Sequence, residues 1–575
     1  MKLYLTIMVI IMSASLNLCA GSWYYEDYSI LIEPAEMPLS GKIYGYEDIN
    51  LKLHNTSDKD HTVEIKLSSK KISSQLQSIS KTVTLNAGEH STVTFSKPYL
   101  AMHNIEVNIW IDRIPQKRFS LNSYNIDHDF VWSNPTSILL SENFSYDFFD
   151  KLLNADYKST YKEKKLNIYR SEELPETMNA YSGFDSLLLK SEQLEKCSLK
   201  AQETLYNYIR SGGSLFVAGS FTPDIKAIKS DIGKDIHYYE YGLGVIIVSD
   251  KAGNNELEKL NWQHISERLW QNKLFIYRHI NPGSNINDWF RVVEVSPVPS
   301  KAMVGVIAFL VIIIGPINIL ILRVLNKSVL MYITIPLISI LGMAAILIFS
   351  VQNEGTENTE KTSSFTILDQ REGIASTAAV LGYYCPILPI GELEFAKNTQ
   401  VIPLNLPEYG SNGDKHINLD EGQKLYGSWI NSRVPSHFAA IKLTENNKPV
   451  LEFVNNNNAI IKVTNKTNST VSSLRYKDQV GRVWETENLK PGQKTILKPA
   501  KKIQSSMVLC PVRKMSSNDW LRSGSTIYKN PYENLYPGCY IANIEGELFL
   551  EKPAHEKASK RTQNSFIYGI TGDFK

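Results

Sequence analysis

The chain has 575 residues, 43% of them hydrophobic and 21% charged, which suits several folded units and excludes wholesale disorder. Sixty-one Lys plus Arg against fifty-nine Asp plus Glu leave a formal charge of +2, with no dense basic face. That balance excludes long-range attraction to nucleic acid, so no nucleic-acid partner is expected.

Met1-Lys2 forms a minimal positive start, Leu3 to Met12 is apolar, and Ser13 to Ala20 turns small and more polar. This pattern predicts a secretory signal over 1–20, too short for a comfortable membrane span, cleaved after Ala20. Cys19 follows Leu18 where a lipoprotein signal places a small residue, so plain cleavage is preferred over lipidation. Cys197, Cys385, Cys510 and Cys539 then remain, and none stands in a C-x-x-C pair. Cys510 and Cys539 can pair in an oxidising compartment; four buried thiols are the other reading.

Residues 23–130 read as an immunoglobulin-like β-sandwich. Ile49, Leu51 and Leu53 alternate with polar residues, as do Val63, Ile65 and Leu67, and then Ile105 to Ile111. Period two puts one face of each strand in a core and the other in water. Asn55 to Asp60 and Asn86-Ala87-Gly88 supply turns. The pattern Leu51-x-Leu53-x-Asn55-Thr56, with Leu85 to Gly88 later, resembles bacterial surface β-sandwiches.

Residues 133–295 change period. Short apolar runs at Ile138 to Leu140, Leu166 to Tyr169, Ser186 to Leu189, Ser214 to Ala218 and Val245 to Val248 predict buried strands. Leu199 to Arg210 predicts a helix with Ala201, Leu205, Tyr208 and Ile209 on one face, stopped by Gly212-Gly213. A further helix is expected over Glu256 to Trp270. Alternating strands and helices indicate a parallel α/β sheet, in a flavodoxin-like arrangement.

No charge interrupts 302–322 or 328–352. Each run is long enough to cross ~30 Å of hydrocarbon at 1.5 Å per residue, so two transmembrane helices are expected. Arg323 and Lys327 bracket their short link and place it in the cytoplasm, which puts both large flanks outside. Pro316 and Pro336 predict kinks, and Asn318 predicts a hydrogen bond to the second helix.

The stretch GFDSLLLKSEQL followed by AQETLYNYIRSGGSLFVAG resembles class I glutamine amidotransferase-like domains of bacterial envelope proteins, including auxiliary subunits of gliding-type ABC transporters. Val298 to Arg323 is similar to uncharacterised membrane proteins that couple such a domain to a helix hairpin. The likeness covers roughly residues 135 to 350. It implies a cysteine on a glycine-flanked strand-to-helix turn, with His and Glu downstream. Here Gly219-Ser220-Phe221-Thr222 follows the strand, without a cysteine and without Gly-x-Ser-x-Gly. Cys197 precedes the helix, and neither His237 nor His264 has a nearby Glu in the family pattern. The departure implies a fold kept for binding or packing.

After a polar linker, 364–550 reads as a β-rich extracytoplasmic domain. Its strands include Phe438 to Leu443, Val450 to Val454 and Ile460 to Val463, with turns at Asn465 to Thr470 and Leu489 to Gly492. Residues 551–575 read as a partly ordered tail of mixed composition, basic in its first half.

No zinc-protease, phosphate-loop, dinucleotide or EF-hand motif occurs. Asp127-His128-Asp129 cannot all face one ion from a strand, and Asp147 with Asp150 is explained by helix N-terminal charge. Trp23-Tyr24-Tyr25 and Tyr238, Tyr239 and Tyr241 are expected mainly in cores. No catalytic, cofactor or metal residue is therefore assigned. The expectation is a non-catalytic, multi-pass protein of the inner (cytoplasmic) membrane that binds an envelope or membrane protein partner or an envelope ligand. An accessory subunit of an ABC-type transport or secretion system and an envelope hydrolase are the alternatives.

Overall fold

The computed structural model describes residues 23–34, 45–69, 76–121 apart from 99, 101, 103 and 104, 136–141, 144, 166–257 apart from 172, 173 and 234, and scattered positions over 259–293. It continues with 300–325, 328–354, 357–387, 391–404, 414–456 apart from 447, 460–500, 535–553 and 560–571. Five sheets carry about half of these residues. The expected signal at 1–20 lies outside them.

In the first sandwich, Trp23–Tyr25, Ile30–Pro34, Tyr46–Asn55 and His90–Pro98 form one sheet, while His61–Ser69, Ser78–Leu85 and Ile105–Ile111 belong to the other. The alternating residues do what period two requires: Ile49, Leu51 and Leu53 meet Val63, Ile65, Leu67, Val107 and Ile109 in one core. The second sheet continues past residue 130. Ser78–Leu85 pairs in parallel with Lys415–Asn418, which is followed by Gln423–Gly427 and Glu392–Phe395. Ser78 Oγ and His416 Nδ1 are 2.7 Å apart at this join. The division of 23–130 from 364–550 is corrected accordingly, because one sheet and one core hold strands from both.

A second sandwich repeats the first. Leu451–Asn456, Ile460–Asn465 and Lys494–Ile496 form one sheet over Val471–Lys477, Val483–Leu489 and Cys539–Glu545. The pairings correspond strand for strand. So does the turn that joins the sheets. Asn55 Nδ2 donates to Lys59 O (2.8 Å) and Leu85 O (3.3 Å), and Asn465 Nδ2 donates to Ser469 O (2.9 Å) and Leu489 O (3.0 Å). Each amide oxygen accepts from the backbone N–H and hydroxyl two residues on, at Ser57 and at Thr467. Both asparagines are fully buried. Asn55→Ala and Asn465→Ala should each lower stability by about 1–3 kcal/mol, since either leaves buried carbonyls without donors. Paired chemical denaturation of the two variants checks this, and an effect at one site alone would contradict the equivalence.

The second sheet of this sandwich is one end of a nine-stranded sheet whose other end packs into the core of the first sandwich. Thr359–Asp369 pairs with Ile374–Tyr384 on one side and, in parallel, with Lys560–Ile570 on the other. Ile374–Tyr384 then pairs with Ser436–Glu445, which pairs with Thr399–Leu404. The tail assignment for 551–575 is thereby corrected. Lys560–Ile570 sits mid-sheet, and its second half, Phe566, Ile567, Tyr568 and Ile570, is buried.

The third unit is a seven-stranded sheet in the order Leu166–Arg170, Thr136–Leu140, Ser186–Lys190, Ser214–Ala218, Gly244–Ser249, Ile236–Tyr241 and Ile228–Gly233. The first five strands are parallel, and Ile236–Tyr241 runs antiparallel to both of its neighbours. Helix Leu199–Arg210 buries Ala201, Leu205, Tyr208 and Ile209, and Ser198 Oγ caps it by accepting from Ala201 N (3.1 Å). Of the expected helix over 256–270, the described positions Trp262, Ile265 and Leu269 are buried against Phe216 and its neighbours.

Among the described residues, one helical stretch, Ile307–Val324, is long and apolar enough to cross a membrane. It carries a π-helical turn, Ile313–Ile317, around Pro316. The following helix, Met331–Glu354, contains a shorter apolar run, Met331–Ala344. The two touch: a Cβ at Gly342 would lie 2.6 Å from Leu310 Cδ2, and buried Asn318 donates to Thr334 Oγ1 (2.9 Å).

Candidate functional site

The three units meet around a cleft of about 1050 Å³. Helix Leu199–Arg210 forms one wall. Lys81, Thr94 and Ser96 come from the first sandwich, and Glu372, Lys397 and Lys442 from the nine-stranded sheet and its loops. Leu199 stands on the rim with 85% of its surface exposed.

Hydrogen bonds tie the floor of the cleft across all three units. Asp48 accepts from Ser96 Oγ (2.5 Å) and from Thr177 Oγ1 (3.0 Å). Asn179 donates to Ser96 Oγ (2.8 Å) and accepts from Gln400 Nε2 (3.0 Å). Beneath them the fully buried Tyr46 hydroxyl donates to Gln423 Oε1 (2.9 Å) and accepts from Val401 N (2.6 Å), while Tyr46 N donates to Ser182 Oγ (2.7 Å). Burial pushes the Tyr46 phenol well above its ordinary range, so it stays a neutral donor.

Three of the charged residues on the walls, Arg210, Glu372 and Lys442, stand in ion pairs. Arg210 bridges to Glu372 and lies 4.4 Å over the ring of Tyr241, whose hydroxyl donates to the same Glu372 oxygen (3.5 Å). Lys442 meets Glu551 at 2.5 Å. Burial opposes ionisation of Glu551, yet hydrogen bonds from Lys442, Thr399 and Ala396 N outweigh it and hold the carboxyl below its ordinary value. Lys81 donates to Thr94 O (3.0 Å), and burial, followed by the nearby Lys397, lowers its pKa. Such an arrangement offers fixed donors, acceptors and charge to a ligand.

Among the described residues, those weighed from sequence do not assemble into a catalytic group. Ser220 is exposed in the turn after Ser214–Ala218, and among the described residues no hydrogen bond joins it to His237. His237 pairs instead with Asp250 (3.2 Å). The Cys197 thiol donates to Leu194 O (3.0 Å), and burial raises its pKa, which disfavours the reactive thiolate. Cys385 and Cys539 are buried free thiols, and Cys510 lies outside the described residues. So do His264, Asp127-His128-Asp129, Asp147 and Asp150. No metal-binding cluster of His, Cys, Asp and Glu occurs among the described residues. Trp23 stacks on Phe119 and Tyr25 is buried, whereas Tyr24 is exposed. Tyr238 and Tyr239 are core residues; Tyr241 reaches the cleft.

Sequence reasoning missed Tyr46, Arg210 and Glu372. Arg210 and Glu372 are separated by 162 positions, so no local spacing could mark them.

No protein-family model and no curated protein matches this chain. Among solved structures, the yeast delta-COP-I mu-homology domain complexed with a Dsl1 WxWxV peptide is similar at 8% identity and a TM-score of 0.17, over 36% of this chain and 94% of that one. A Paenibacillus sp. cycloisomaltooligosaccharide glucanotransferase complexed with cycloisomaltoheptaose is similar at 12% identity and a TM-score of 0.13, over 39% and 34%. Likenesses this slight carry no conclusion about fold or site.

Proposed function

We propose that this chain is a non-catalytic, membrane-anchored envelope protein that binds a partner protein or an envelope ligand in the three-unit cleft. One observation carries the topology. Strands on both sides of the helical segment share a sheet, as Ser78–Leu85 does with Lys415–Asn418. Both flanks therefore occupy one compartment, and a segment joining them crosses a bilayer an even number of times. If Ile307–Val324 crosses once, Met331–Glu354 makes the return crossing. Basic Arg323 and Lys327 in the link favour the cytoplasm, and the N-terminal signal pattern favours export of the flanks. The membrane is then the inner, cytoplasmic one.

Both sandwiches are read as immunoglobulin-like. The parallel strands of the third unit follow the order 2-1-3-4-5, which supports a flavodoxin-like, amidotransferase-like reading. The separation of Ser220 from His237, and the protonated Cys197, support a domain that binds without reacting.

The test is a photo-crosslinking residue at Leu199 in the full chain in native membranes. It should capture one species, the yield should fall when Lys397 on the facing wall becomes Glu, and the same probe at Val480 should capture nothing comparable. Identical adducts from both positions, or none from Leu199, would refute the cleft as the binding site. Recovery of a permease or ATPase from Leu199 would identify the partner as a transport system.

A further inference from the structure

The end of the nine-stranded sheet nearest the helices carries a surface that the hairpin alone does not explain. Thr359–Asp369 starts five residues after Met331–Glu354 ends, a reach of at most about 18 Å. The other flank arrives at the same place: Arg291 O accepts from Lys361 Nζ (2.7 Å), and Phe290 O accepts from His437 Nε2 (3.1 Å). Thr359 pairs with Tyr384 and with Lys560, so the segment after Tyr384 and the start of the final strand lie on this rim. Cys385 bridges to Ser432, Arg433 N donates to Cys385 O (2.7 Å) and Ser432 Oγ donates to Ile387 O (2.9 Å).

These ties hold two aliphatic side chains in solvent, Ile387 at 46% and Val434 at 53% exposure. Around them stand the exposed cations Arg291, Arg433 and Lys560. Exposed Lys552 is close enough to act on the Glu360 carboxyl. Among the described acids here, Glu360 is buried against Arg561 (3.1 Å) and Glu357 is exposed. Aliphatic side chains ringed by cations, held a few residues from a membrane-crossing helix, match the chemistry of an anionic lipid surface.

We propose that this rim rests on the bilayer, with Ile387 and Val434 in the headgroup layer and Arg291, Arg433 and Lys560 against anionic phospholipid headgroups. The inference depends on the hairpin reading. It adds a second membrane contact, which fixes how far the cleft stands from the bilayer. The opposite end of the sheet provides the control. Val480, 67% exposed in the turn after Val471–Lys477, lies about 33 Å away along the strands.

The experiment uses the full chain in vesicles of phosphatidylcholine and phosphatidylglycerol with brominated acyl chains. Val434→Trp should add emission that the bromines quench, and Val480→Trp emission that they do not. Arg433→Glu with Lys560→Glu should weaken quenching in the Val434→Trp protein, as should omission of phosphatidylglycerol. Equal, unquenched emission from both tryptophans would overturn the docking. Quenching indifferent to both charge reversal and lipid charge would overturn the headgroup assignment. Retention of the protein after carbonate extraction reports on the hairpin separately: a retained protein with unquenched Val434→Trp sinks the rim contact alone, and a released protein sinks the hairpin.

Discussion

Ending the chain at Pro553 should abolish folding of the whole outer body. The lost strand, Lys560–Ile570, lies between Thr359–Asp369 and Cys539–Glu545 and pairs with both. It buries Phe566, Ile567, Tyr568 and Ile570, which at roughly 1.5–3 kcal/mol each contribute about 6–12 kcal/mol. That is comparable with the entire stability of an ordinary domain, about 5–15 kcal/mol. The register is also exact in its packing: Gly569 leaves room for Tyr540, whose ring Cζ would stand 2.0 Å from any Cβ there. Near-ultraviolet circular dichroism of the detergent-solubilised truncation should show loss of fixed aromatic packing. A native-like spectrum with a native melting temperature would mean the strand is dispensable.

Tyr46→Ala should be the most damaging single substitution at the junction of the units. The side chain is fully buried and bonds to Val401 of the nine-stranded sheet and to Gln423 of the second sheet of the first sandwich, while its backbone N–H reaches Ser182 beside the seven-stranded sheet. Removing the ring costs about 3–5 kcal/mol for the cavity, and the unpaired partners add to it. Tyr46→Phe keeps the ring and orphans the polar partners, so about 1–3 kcal/mol is expected. The preceding Gly45 shows how tight this junction is. Its φ of +83° and the Ser182 carbonyl, 2.6 Å from an added Cβ, leave no place for a side chain. Thermal melts of the two Tyr46 variants in detergent check the prediction, and an unchanged melt for Tyr46→Phe would contradict it.

Local structure was legible in the sequence because its causes are local. Period-two alternation marked Ile49 to Leu53 and Val63 to Leu67, and the helical spacing of Ala201, Leu205 and Ile209 marked the helix that walls the cleft. Pairing was not legible, since alternation says that a face is buried without saying against what. Ser78 and His416 are 338 positions apart, with the apolar helices between them. In the sequence those helices mark a natural boundary, and nothing local says that the two flanks share a sheet. The final strand was obscured by its own first half, Lys560 to Gln563, which is charged and polar. The repeated sandwiches were hidden by substitution: both turns stood out, but Ser57 and Thr467 supply the same hydroxyl from different residues. Arg210 and Glu372 acquire meaning only when the fold brings them together.

The most direct test asks on which side of the membrane two positions lie. With native cysteines replaced, Leu325→Cys and Val480→Cys are exposed in turn to a membrane-impermeant maleimide on intact spheroplasts. The outer body should present Val480→Cys to the reagent at once, whereas Leu325→Cys, beside the basic link, should react only after lysis. Labelling of Leu325→Cys before lysis, or of Val480→Cys only after it, would contradict the membrane hairpin on which the proposed role depends.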